Sequence, residues 1–224
     1  MRWLKDNALS LAFLVMFVLA LAGQAVAGTL EFNDRQVAGG GEPVSVPHFV
    51  ASSDFAVDVA ENWQSEYLQF FLFIMLTVWL VQRGSPESKQ PGEEGGESDE
   101  RQRVGPHATA ASPAWARHAR GPRLWLFSNS LGLAMGAVFL LSWLAQSVAG
   151  QAAHNAERLQ DLRDPVTWGS YVTSAEFWNR SLQNWQSELL AVLSMVVLSI
   201  YLRQRGSPES KPVGAPHSAT STEG

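Results

Sequence analysis

The chain has 224 residues, 16 Lys and Arg against 21 Asp and Glu, a formal net charge of −5, and no cysteine. Without cysteine there is no disulfide and no thiolate zinc or iron–sulfur site, and the acidic balance, with no face-forming Lys/Arg cluster, excludes nucleic acid as a partner. The mean hydropathy of −0.04 averages very apolar segments with very polar ones.

In chain order, the first such segment is Ala8 to Ala27, about 20 uncharged residues, the length that crosses a hydrocarbon core of roughly 30 Å at 1.5 Å per residue. Its basic start and Ala25-Val26-Ala27 imitate a secretory signal, but the apolar stretch exceeds the roughly 7 to 15 residues usual there. A polar loop over residues 28–61 follows, then a second helix over 63–81 introduced by "NWQSE" and closed by "QRGSPESK". Residues 90–121, rich in Gly, Pro, Ala and charge without apolar periodicity, read as a flexible linker. A third apolar helix over 130–149, a loop over 150–183 and a fourth helix over 185–203 complete the series. The tail, residues 212–224, reads as disordered.

The second half repeats the first at a constant offset of 122 residues, without a gap: Trp3 falls on Trp125, Asn7 on Asn129, Asn33 on Asn155, Pro43 on Pro165 and Phe55 on Phe177. "NWQSE" at Asn62 to Glu66 returns at Asn184 to Glu188, and the eight residues Gln82 to Lys89 return at Gln204 to Lys211. The signal-like segment recurs at Asn129 to Gly150, where no signal peptidase site could operate usefully, so it belongs to a retained helix. The expected organisation is an all-α polytopic membrane protein of four transmembrane helices, two tandem helical hairpins over 1–89 and 122–211. Lys and Arg flank the helices on the side of the termini and linker, whereas residues 28–61 hold only Arg35 among six acidic residues. The positive-inside rule therefore puts both termini and the linker in the cytoplasm. Two copies of one orientation imply an axis along the membrane normal.

The second helices span only if their crossing begins near Trp63 and Trp185, which puts Glu66 and Glu188 about one turn below the outer interface, a costly depth for a charge. Asn62, Glu66, Gln69, Phe73, Leu76 and Leu80 share one stripe, and four of its positions are identical in both copies, so the stripe is expected to face protein. On the first helices, Ala8, Ala12, Ala20, Gly23 and Ala27, matched by Ser130, Ala134, Ser142, Ala145 and Ala149, form the expected close-packing face. Gln24 and Gln146 lie level with the carboxylates in a hairpin, so Gln24 with Glu66 and Gln146 with Glu188 are the candidate intramembrane polar pairs. In the closing motif Arg83 and Arg205 reach the inner interface, Gly84 and Gly206 supply left-handed C-caps, and Pro86 and Pro208 stop the helix. Retention of all eight residues exceeds that need, which leaves folding back on the bundle or meeting a partner as a second reading. Thr173 with Glu176 has capping-box spacing, and Ser52 or Ser53 can cap the other copy.

Two hairpins each carrying "NWQSE" and "QRGSPESK" resemble the bacterial membrane proteins grouped as domain of unknown function family 6766. The resemblance implies a bacterial inner membrane and an all-helical fold, and transfers no functional residues. No phosphate-binding Gly loop, nucleophile elbow or HExxH is present, and His48, His107, His118, His154 and His217 are scattered over loops and tails as solvated residues. The reading is therefore a protein without catalysis, cofactor or metal, in a structural, adaptor or envelope-response role. Its partners are the lipid bilayer and either another membrane protein or a second copy of itself. The alternative is a small channel or proton-coupled transporter using Glu66 and Glu188.

Overall fold

The computed structural model describes residues 2–117 and 120–221 and is all-helical, with no strand among the described residues. The helices are α1 (Arg2–Asp6), α2 (Ala8–Ala38), α3 (Val46–Val50), α4 (Ser53–Trp79), α5 (Pro122–Ser128), α6 (Ser130–Gln160), α7 (Trp168–Val172) and α8 (Ala175–Tyr201). Both ends of α2, α3 and α4 return in α6, α7 and α8 at the sequence offset of 122 residues, so the duplication is one of structure as well as of letters.

Matched side chains set these boundaries. Asn7 Nδ2 donates to Trp3 O at 2.8 Å and Asn129 Nδ2 to Trp125 O at 2.7 Å, marking the break before each long helix. Asn33 imitates a peptide across the loop: its Nδ2 donates to Val44 O at 2.9 Å and its Oδ1 accepts from Val44 N at 2.7 Å. Asn155 repeats both bonds with Val166, at 3.0 and 2.8 Å. Each clamp returns the chain toward the next helix and satisfies both backbone groups of one loop residue, Val44 or Val166. Ser52 caps α4, its Oγ accepting from Phe55 N at 3.3 Å. Thr173 plays a different part from the expected one. It is the C-cap of α7, and its hydroxyl donates back to Gly169 O at 2.9 Å.

By compactness the chain divides into Met1–Ala60 with Ala145–Ser174, and Glu61–Leu144 with Ala175–Gly224. Each unit draws on both copies, whereas the sequence repeats divide at the linker. In the first unit two aromatic residues are buried against glycines. Phe49 is 2% exposed, with Phe32 and Phe55 at ring-centroid distances of 5.4 and 5.6 Å, and a Cβ on Gly28 would stand 2.8 Å from its ring. Tyr171, 1% exposed, lies equally tight on Gly150, where a Cβ would overlap its hydroxyl. The glycine of each "VAG" is therefore required by the approach of an aromatic ring from α3 or α7.

In the second unit α6 turns Gly132 and Gly136 toward α4. Added Cβ atoms there would stand 3.1 Å from Met75 Sδ and from the Phe71 ring. This close-packing face, continued by the buried Phe139 and Ser142, shares only Ser142 with the one expected. Ser130, Ala134 and Ala145 are exposed, and on α2 Ala8, Ala12, Ala20, Gly23 and Ala27 are exposed as well. The reason lies in the letters: the positions of copy one that match Gly132 and Gly136 are Ser10 and Leu14, so only α6 offers the glycine face.

The linker carries two short 3-10 turns, Gly105–His107 and Ala114–Arg117. It is tied to its neighbours, with Gly95 N donating to Val78 O at 2.7 Å and Trp115 set against Phe127 of α5 at 6.4 Å. The tail, expected to be disordered, is likewise bonded as far as Ser221, as described below.

Candidate functional site

The second "NWQSE" contacts α4 directly. Asn184 Nδ2 donates to Glu61 Oε1 at 2.6 Å, and Arg180 Nε donates to Glu61 Oε2 at 2.7 Å. One turn further, Trp185 Nε1 donates to Gln64 Oε1 at 2.6 Å. Gln64 is fully buried and its Nε2 has no hydrogen-bond partner among the described residues. Phe139, Trp143, Phe177 and Trp178 gather around Trp185, with Trp143 and Trp185 at 5.5 Å. A shared carboxylate and one buried amide thus join copy one to copy two, beside an aromatic cluster that copy two supplies alone. Sequence reasoning missed Glu61, Gln64 and Arg180, although Gln64 stands at the centre of the retained motif and was available as a signal.

Of the residues singled out from the sequence, Asn184 and Trp185 take part in these contacts, whereas Glu66 and Glu188 do not. Glu66 is exposed and Glu188 half-buried, close enough to interact electrostatically; among the described residues neither accepts a hydrogen bond. Gln24 is half-buried, and Gln146 is buried at 1% exposure, its Oε1 without a hydrogen-bond partner among the described residues. Asn62 and Trp63 are exposed, as are Leu76 and Leu80. The packed face of α4 is instead that of Val57, Ala60, Gln64 and Ser65. Gln69, Phe73, Leu76 and Leu80 of the stripe lie along one wall of a groove, which Asn62 and Glu66 do not line. That groove, about 440 Å³, runs between α4 and α8, with Phe73 and Leu76 facing Val192 and Val196, and the Gln82 to Ser88 segment at one end.

Each "QRGSPESK" closes on itself in the same way. Ser85 N donates to Gln82 O at 3.1 Å around Gly84, whose φ is +88°, and Ser207 N to Gln204 O at 3.2 Å around Gly206, whose φ is +83°. The hydroxyls of Ser85 and Ser207 accept from the amides of Glu87 and Glu209, both at 3.2 Å. Ser88 Oγ accepts from Gln82 N at 2.7 Å and Ser210 Oγ from Gln204 N at 2.9 Å. The motif is a clip whose glycine takes the left-handed turn and whose two serines bond backbone amides at its ends, which explains why more than three of its residues are kept. Gly84 and Gly206 are not helix C-caps as expected, since α4 has ended at Trp79 and α8 at Tyr201. Arg83, Pro86, Arg205 and Pro208 all lie within the clips.

The clips differ in what their lysines hold. Lys89 Nζ donates to Gly95 O at 2.8 Å and lies 3.5 Å from a Glu97 oxygen, with its side chain 25% exposed. Lys211 is 1% exposed, and the three N–H groups of its Nζ are shared among four carbonyls: Gly84 O at 2.6 Å, His217 O at 3.0 Å, Ala219 O at 3.1 Å and Pro216 O at 3.4 Å. Burial, with the Arg203 charge adding to it, holds this ammonium below the ordinary lysine value. Gly84 N donates to Thr220 Oγ1 at 2.8 Å, Ser221 N to Ser85 O at 3.3 Å, and Ser221 Oγ to Ser88 O. The tail therefore straps the second clip to the first. Of the histidines, His217 Nδ1 lies 3.0 Å from Ile200 O and His154 contacts the Tyr171 ring, while His118 is outside the described residues. Among the described residues no group of three or more His, Asp or Glu converges as a metal site would require.

These features define an all-helical protein built by tandem duplication of a helix–loop–helix unit, in which α2 and α6 are long and apolar enough to cross a membrane. The family called Domain of unknown function (DUF6766) matches residues 1–222, and the chain belongs to it. No curated protein and no solved structure matches the chain.

Proposed function

We propose that this is a multi-pass protein of the bacterial inner membrane with four crossing helices and both termini cytoplasmic, acting as a non-catalytic scaffold, adaptor or envelope-response component. The observation that carries the reading is α2: its most apolar stretch has a hydropathy of 2.3 and only 6% of it is buried within the protein. A helix apolar on all sides and uncovered by its own chain asks for lipid around it. A removable signal would explain α2 alone, but α6 repeats it in mid-chain with a hydropathy of 1.7. α4 and α8 complete the crossings if they enter at Trp63 and Trp185, with Trp79 and Tyr201 at the opposite interface. The bilayer is then the chief partner, joined by another membrane protein or a second copy, and nucleic acid has no place in the scheme. Fusions test the arrangement: a reporter active only in the periplasm should work after Gly40 and after Asp161 and fail after Glu100. The opposite pattern would overturn the topology.

A second reading, a small channel or proton-coupled transporter, is supported by the mutual approach of Glu66 and Glu188 beside the groove. Under the scaffold reading, Glu66→Gln with Glu188→Gln leaves accumulation and any cellular phenotype unchanged. Normal accumulation with loss of a pH-dependent flux would favour the transporter.

A further inference from the structure

We propose that the groove between α4 and α8 binds a hydrophobic organic cation, with the carboxylates of Glu66 and Glu188 as its charge partners. The inference rests on the membrane placement proposed above, and it gives a ligand class to the site of the second reading. Its volume of about 440 Å³ lies inside the roughly 300–1,000 Å³ usual for small-molecule sites. Leu72, Phe73, Leu76, Val192, Leu193 and Val196 make most of the wall, so the body of the ligand is apolar.

Charge selects among apolar ligands. Among the described residues no Lys or Arg lines the groove, and the one charged side chain in its wall is Glu87, at the clip end. At the other end Glu66 precedes Gln69 by three residues, and Glu188 precedes Val192 by four, so each carboxylate lies one helical turn beyond a lining residue on the same face. The two carboxylates sense each other's charge and accept no hydrogen bond among the described residues. A groove with carboxylates near its ends and no Lys or Arg among its described lining residues disfavours fatty acids and other anions, and is complementary to a cation carried on an apolar body. The stripe retained between the copies gains a reason here. Glu66 and Glu188 are both kept, and Leu76 and Leu80 of the stripe line the groove.

The test uses the full chain in nanodiscs of zwitterionic lipid and a pair of ions matched in size and apolarity, tetraphenylphosphonium and tetraphenylborate, with binding read by equilibrium dialysis. Expected is saturable binding of the phosphonium, at least about tenfold tighter than the borate. Glu66→Gln with Glu188→Gln should remove about tenfold of the phosphonium affinity, and Val192→Phe, which fills the groove, should weaken phosphonium binding with both carboxylates intact. Circular dichroism and elution volume confirm that each variant is folded. Equal affinity for the two ions, phosphonium binding indifferent to the double glutamine variant, or no saturable binding because lipid chains occupy the groove would each overturn the proposal. Failure of the membrane reading is separate: it appears as a chain that does not sediment with membranes, before any ion is added.

Discussion

The two copies of "QRGSPESK" are eight identical residues with identical internal hydrogen bonds, and yet one lysine is half-buried beside the linker while the other is sealed among four carbonyls. The same contrast separates the two "NWQSE" segments, for Gln64 is fully buried against Trp185 and its counterpart Gln186 is exposed. Identity between the copies therefore reports local structure, which is set within a few residues. What a motif touches depends on the segment that follows it and on which copy supplies the facing helix. Here the linker follows Lys89 and the tail follows Lys211, and the asymmetry of the two clips follows from that.

The largest expected break in this comparison is at the lysines. Lys211→Met removes a charged donor from four carbonyls and should destabilise the tail and its clip by about 3 kcal/mol. Lys89→Met loses one carbonyl bond and a partly exposed ion pair, about 1 kcal/mol or less. Hydrogen exchange at the amides of Ala215 to Ser221, with limited proteolysis of the tail, reads the difference. Equal effects of the two variants would show that the strap is not anchored by Lys211.

The glycines sharpen the same contrast. Both adopt left-handed φ, so alanine at either position meets about 1 kcal/mol of backbone strain. At Gly206 nothing stands within 4 Å of an added Cβ, and the effect should stop there. At Gly84 the Cβ would stand 2.5 Å from His217 O and 3.1 Å from Ile200 Cγ2, so Gly84→Ala should cost about 2 kcal/mol and loosen the tail. Thermal unfolding of the two variants side by side decides it, and a larger shift for Gly206→Ala would contradict the packing of the first clip.

A smaller difference is expected at the tryptophans. Trp185→Phe strands Gln64 Oε1 in a site where Nε2 already lacks a partner, a loss of about 1 to 2 kcal/mol. Trp63 is 42% exposed, and Trp63→Phe should stay within about 0.5 kcal/mol. Equal shifts in melting temperature would remove the asymmetry claimed for the seam.

Much of the fold was legible in the letters, because the repeat register and the capping and clamp residues act over a few positions. The offset relates each long-helix boundary of one copy to its counterpart, and Asn33 and Asn155 close their loops alike, although the helices read as 8–27 and 63–81 run as Ala8–Ala38 and Ser53–Trp79. The site was less legible. Helical periodicity identified the retained stripe on α4, but which stripe is buried depends on a facing helix, and the matching surfaces of α2 and α6 differ at Ser10, Leu14, Gly132 and Gly136. Gln64 escaped notice for a related reason: its motif occurs twice, and only the partner Trp185 decides which amide is buried. The strap escaped because the tail has no apolar periodicity; it is held by backbone carbonyls, which any residue supplies, and by single side-chain bonds made by His217, Thr220 and Ser221.

The smallest expected effect is a titration. The chain holds three lysines, Lys5, Lys89 and Lys211, so the Cε signals of lysine labelled with carbon-13 can be followed one by one. Desolvation first, then the charge of Arg203, lowers the Lys211 value. One of the three signals should therefore titrate below the ordinary lysine range, and it should be the one that Lys211→Met deletes. The sign for stability follows from proton counts. Between the lowered value in the folded protein and the ordinary value in the unfolded chain, the unfolded chain holds more protons, so stability rises with pH across that window. Below the window both states are protonated and the desolvation penalty on the ammonium is present in full, offset by its four carbonyl bonds. If the signal that titrates early belongs to Lys89, the burial assigned to the second clip is wrong, and the difference between the copies reverses.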